Sequence, residues 1–166
     1  MHRPTSVLVA FTLLALVAAC DRGGDRVVRH GDSSVSTSAD GQTHVVTDGA
    51  TGERAVISTG PSAAAPANLP AYAPAYPGAT IVSSVSADTM GGGAGGMLVM
   101  STRDAPAQVI QFYRQRISQA GLTEQSYTEA GGTSILQAGR NEGGDGVQIA
   151  VQGSGGQSQI TLMFGS

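Results

Sequence analysis

Two rhythms of apolar residues run through the C-terminal half of the chain. Val147, Ile149 and Val151 alternate with Gln148, Ala150 and Gln152, and Ile160, Leu162 and Phe164 alternate with Thr161 and Met163. A period of two sets alternate side chains on one face, so both segments predict strands with one buried and one wet side. Between Asp104 and Ala120 the period lengthens. Val109, Ile110, Phe112, Tyr113, Ile117 and Ala120 share one helical face, while Gln111, Arg114, Gln115 and Ser118 share the other. Asp104 is the expected N-cap, Pro106 suits the first turn, and Gly121 the stop, with Leu122 folding back on the last turn.

Further strands are predicted on either side of this helix. Thr80–Ser86 is β-branched, and Met97–Thr102 would pair with it across the Asp88–Gly96 loop. Leu122–Glu129 and Thr133–Ala138 meet at Gly131-Gly132, and turns are expected at Asn141–Gly146 and Gly153–Gly156. The order ββαββββ with short connections predicts an α+β domain over 78–166, a mostly antiparallel sheet with one helix packed on one face.

Upstream the apolar signal thins. Residues 20–60 are polar and rich in Ser, Thr, Gly and Asp, with weak alternation at Ser33–Ser38, Thr43–Thr47 and Ala55–Ser58. Turn signals at Asp40-Gly41, Asp48-Gly49 and Thr51-Gly52 separate these pieces. So little apolar surface favours a disordered or weakly β stalk over a small meander that pairs with a partner. Residues 61–77 are almost wholly Pro and Ala around Leu69, Tyr72 and Tyr76. That composition predicts a stiff polyproline-type linker, closed by a turn at Pro77-Gly78.

At the start, Arg3 precedes an uncharged run from Ser6 to Ala19 that ends on Cys20. A spanning helix needs roughly 20 apolar residues. This shorter run reads as a secretory signal over 1–19.

Composition narrows the function. The formal net charge of −3 gives no basic field for nucleic acid. All nine cations are arginines, and they are scattered. Aromatics make up only 4%, which predicts a small core of modest stability. Cys20 is the only cysteine, so no disulfide is expected.

No reaction centre emerges. Gly91, Gly93 and Gly96 satisfy G-x-G-x-x-G, but a strand follows where a dinucleotide site needs a helix. Asn141–Gly146 resembles a calcium loop only faintly, with Gly143 and Gln152 where ligands belong. His30 and His44 lack metal-ligand spacing, and His2 lies in the signal. No histidine falls in the expected domain to complete a Ser-His-Asp set. Asp104, Glu124, Glu129, Glu142 and Asp145 are the conceivable acid–base pair members. Arg103, Arg114 and Arg116 are expected as a solvated rim, with contact to lipid head groups or a polyanion as the alternative. Tyr72 and Tyr76 are expected to pack against the domain's edge. No catalytic residue, metal or cofactor is assigned.

Leu16-Val17-Ala18-Ala19-Cys20 resembles the lipobox of bacterial lipoproteins. That resemblance implies cleavage between Ala19 and Cys20, a diacylglycerol on the Cys20 thiol and anchoring in a membrane, facing the periplasm. Tyr76-Pro77-Gly78-Ala79, Thr102-Arg103-Asp104 and Phe112-Tyr113, with a helix ending Ala120-Gly121, are similar to a group of uncharacterised envelope proteins. That group brings no known activity. The expectation is a lipid-anchored, non-catalytic interaction module for an envelope protein or cell-wall partner. The alternatives are a periplasmic small-ligand-binding lipoprotein, using the groove beside the helix and the Asp88–Gly96 loop, and an unrecognised envelope enzyme.

Overall fold

The computed structural model describes residues 25–88, 93–140 and 144–165. The signal segment, Ala19 and Cys20 lie outside them, as do Gly91 and Asn141–Gly143. Among the described residues, ten strands form one antiparallel sheet and a single helix packs on it. The α+β architecture and the ββαββββ order are as expected: β5 (Thr80–Asp88), β6 (Ala94–Thr102), α1 (Pro106–Gln119), β7 (Thr123–Ala130), β8 (Thr133–Gly139), β9 (Gly146–Ser154) and β10 (Gln157–Gly165). The four strands after the helix form a meander that folds back until β10 pairs with β6.

The period-two pattern sets the register. Leu162 pairs with Leu98 on one side and Ile149 on the other, and Ile149 faces Leu136. Ile160 likewise sits between Met100 and Val151. These residues are buried on the face that carries α1. The helix presents Val109, Ile110, Tyr113 and Ile117 to this layer, burying the stripe its spacing predicts. It ends as a Schellman motif. The Leu122 N–H donates to the Ile117 carbonyl and the Gly121 N–H to that of Ser118, each at 3.1 Å, with Gly121 at φ +72°.

The expected cap is corrected. Ala105, not Asp104, is the N-cap, and the Gln108 side chain reaches back to accept from its N–H at 3.1 Å. Asp104 is otherwise engaged, because its carboxylate accepts the Tyr76 hydroxyl at 2.7 Å.

Two further departures alter the domain's extent. Residues 26–59, expected as a stalk, form four strands: β1 (Arg26–His30), β2 (Ser33–Thr37), β3 (Thr43–Thr47) and β4 (Arg54–Thr59). They pair in sequence, and β4 pairs with β5, so they continue the sheet. Their apolar surface is too sparse for a core of their own. The open edge of β5 supplies a template on which the ladder extends strand by strand.

The second departure is the Pro/Ala segment. It packs into the domain as a folded strap, broken by turns at Gly60–Ala63, Pro66–Leu69, Pro70–Ala73 and Tyr76–Ala79. Its first limb runs over β5 and β6. The Ser84 hydroxyl donates to the Ala64 carbonyl at 2.7 Å and the Asn68 amide to that of Gly95 at 3.1 Å. Its second limb returns antiparallel to α1. Arg116 donates to the Ala71 carbonyl at 3.4 Å and the Tyr113 hydroxyl to that of Pro74 at 3.0 Å. Ala73 and Tyr76 are buried in the core, with Leu69 and Tyr72 packed against it. One helix cannot cover so wide a sheet, and the strap covers β5 and β6 beside it.

Candidate functional site

The sequence-derived candidates are dispersed. Glu124 holds Arg114 through two bonds, at 2.9 and 3.0 Å. Arg114 also lies 4.3 Å from the Tyr127 ring centroid, so it fastens the helix to the edge strand. Asp145 pairs with Arg140 at 3.1 Å and Glu129 accepts the Tyr127 hydroxyl at 2.9 Å. Each carboxylate thus has a partner of its own, and Glu142 lies outside the described residues. His44 sits in β3, its Nδ1 3.0 Å from the Thr37 hydroxyl, and His30 is exposed on β1. No group of three His, Cys, Asp or Glu among the described residues could hold a metal. Gly96 lies inside β6, where a Cβ would come within 2.6 Å of the Phe164 ring. Its place in the glycine motif is therefore a packing requirement.

The structure gathers polar groups at one end of the sheet, where β6 turns into α1 beside the β9–β10 hairpin. A pocket of 510 Å³ opens there, lined by Pro77, Thr80, Ser101, Arg103, Asp104 and Gln157. Gln157 also lines two neighbouring hollows of 420 and 370 Å³, which add Gln152 and Gln159 on one side and Ala105 and Pro106 on the other. The corner is rigidly held. The Ser158 hydroxyl donates to the Asp104 carbonyl at 2.7 Å, and the Asp104 N–H donates to the Thr102 hydroxyl at 3.3 Å. Arg103 has no ion pair or hydrogen bond among the described residues and is exposed. It stands at the corner as an unpaired cation among amides, hydroxyls and the Asp104 carboxylate.

Behind the pocket stands an aromatic cluster. The Tyr76 and Phe112 rings meet edge-on at 5.1 Å and Phe112 meets Tyr113 the same way at 5.0 Å, a geometry the ring quadrupole favours. Burial pushes the Tyr76 phenol up to about 12, helped by the hydrogen bond to Asp104 and its negative charge. Tyr113 is pushed up as well, mainly by burial. The direction fixes a pH dependence. Below the ordinary value of 10 the Tyr76 phenol is neutral in both states; between 10 and 12 only the unfolded chain ionises, so stability falls with rising pH. Each unit of difference is worth about 1.4 kcal/mol. Thermal melts across that alkaline range should decline more steeply for the native protein than for Tyr76→Phe. Equal slopes would show that this phenol does not carry the effect.

Arg103 and Gln157 are the residues that sequence reasoning undervalued. Arg103 stands next to an expected cap, and Gln157 is one of several glutamines at a turn. The only sequence signal is that the Thr102–Pro106 corner and the Gly153–Gly156 turn end strands that pair.

A START domain-like family model matches residues 82–160. That span runs from β5 into β10, and so takes in the helix and most of the polar end. No curated protein and no solved structure matches the chain.

Proposed function

We propose that the chain is a lipid-anchored envelope protein that binds a small polar ligand at the Arg103–Gln157 end of its sheet. One observation carries the reading: an unpaired arginine on a rigid corner lines a 510 Å³ pocket with hydroxyl and amide groups and with Asp104, whose carboxylate is bound by the Tyr76 hydroxyl. Arginine presents a planar fork of donors that suits a carboxylate or phosphate. Ser101, Thr80 and Gln157 suit the hydroxyls of a sugar-like body. A sugar acid or sugar phosphate, as in cell-wall fragments, has this chemistry. The START domain-like match over 82–160 is compatible with a ligand-binding fold. The reading is one of binding: Asp104, the carboxylate that lines the pocket, is held by the Tyr76 hydroxyl.

Thermal shift assays with a panel of sugar acids and sugar phosphates test the site. A ligand that raises the melting temperature of the native protein should bind Arg103→Gln about 10- to 100-fold more weakly, the scale of a lost charge-assisted bond. Equal affinity for the variant would reject the site. The anchor is tested separately. Cys20→Ser should abolish fatty-acid labelling and leave an unprocessed precursor, and labelling that persists would contradict the lipobox reading.

A further inference from the structure

The position of β1 changes what a lipid on Cys20 would do. Only Asp21–Asp25 separate Cys20 from β1. Fully extended, the chain from Cys20 to Val28 spans no more than about 30 Å. The first strands are therefore held close to any membrane that carries the anchor.

These strands also carry an uncovered apolar stripe. Val28 pairs with Val35 and Val35 with Val46, which places all three side by side on the sheet face opposite α1. They are 51%, 38% and 36% exposed. The stripe continues through Ala55 and Ala87, which with Val46 line a hollow of 250 Å³ rimmed by Asp48, Glu53, Arg54 and Asp88. Arg26 lies on the same face at the end nearer the anchor, pairing with Thr37. On the α1 side the same strands present Val27, itself 53% exposed, and Val45 among Arg29, Ser34 and Ser36, with Ser36 between the two valines, so no continuous stripe forms there.

We propose that this valine stripe lies against the bilayer, with Arg26 among the lipid phosphates. The inference rests on the lipidated-cysteine reading above. A few valines would bind a membrane only weakly by themselves. A short tether converts that contact into an intramolecular one, with an effective concentration of about millimolar. The sheet is thereby oriented on the membrane surface, whereas a long stalk would leave it free to tumble.

The test uses the full-length lipidated protein in vesicles of phosphatidylethanolamine and phosphatidylglycerol. With Cys20 acylated, a cysteine introduced at Val35→Cys takes a solvent-sensitive dye alone, and Ser118→Cys on the exposed side of the helix serves as the comparison. The expected result is a blue-shifted dye at 35, quenched by head-group quencher lipids, and an aqueous dye at 118. Protein that floats with the vesicles while both dyes remain aqueous keeps the anchor and overturns the inference. Failure to float overturns the anchor and the inference together. An equal blue shift at 35 in Cys20→Ser protein without vesicles means that a second copy covers the stripe, which also overturns it.

Discussion

Replacing residues 62–75 with a glycine–serine segment of equal length will abolish cooperative unfolding of the domain. The exchange removes Leu69, Tyr72 and Ala73 from the core and its margin and uncovers Leu98 and Met100, both fully buried in the native protein. Each large side chain returned to water costs about 1.5–3 kcal/mol. The exchange also loses the turns at Pro66–Leu69 and Pro70–Ala73, and with them the fixed placement of the carbonyl at position 74 that accepts the Tyr113 hydroxyl. The sum is comparable with the whole stability of a small domain, about 5–15 kcal/mol. Near-ultraviolet circular dichroism during a thermal melt gives the readout. A strap produces a broad or absent transition in the variant. A mere spacer would leave the melt within about 0.5 kcal/mol of the native one.

Tyr113→Ala will be the most damaging single substitution in the helix. Its side chain is fully buried against the sheet, and it also ties α1 to the strap through the Pro74 carbonyl. Truncating a buried aromatic costs about 3–5 kcal/mol. In a domain of this size that lowers the melting temperature by about 10–20 °C. Tyr113→Phe separates the two contributions. It keeps the ring and leaves only the carbonyl unpaired, a loss of about 1 kcal/mol. Equal losses in the two variants would mean that the hydrogen bond, rather than the ring's burial, accounts for the cost.

The parts of the fold legible in the sequence are those fixed by local rules. Alternation around Ile149 and Leu162 placed the central strands, and Gly121 followed by Leu122 placed the helix stop. The glycine pairs 131–132 and 155–156 placed two hairpins. What escaped depends on partners distant in sequence. Asp104 has every local feature of an N-cap, yet the Tyr76 hydroxyl claims its carboxylate from the far end of the strap. The Pro/Ala segment has the composition of an extended linker. Its burial comes from a few residues, Ala73 and Tyr76 above all, fitting beside a helix too narrow for the sheet. The N-terminal strands carry valines too sparse for a core, and they are ordered by pairing with β5. The candidate site escaped for the same reason. Its groups come from a turn, a helix start and a hairpin, which only the β6–β10 pairing brings together.

The reading of this chain as a binding protein stands on the Arg103–Gln157 pocket, and nuclear magnetic resonance mapping of that end tests it most directly. Protein lacking residues 1–20, labelled with nitrogen-15, is titrated with the sugar acids and sugar phosphates of the panel. Saturable amide shifts should gather at residues 77–80, 101–106 and 153–159 and vanish in Arg103→Gln. Shifts that gather elsewhere, or that persist unchanged in the variant, would contradict the account.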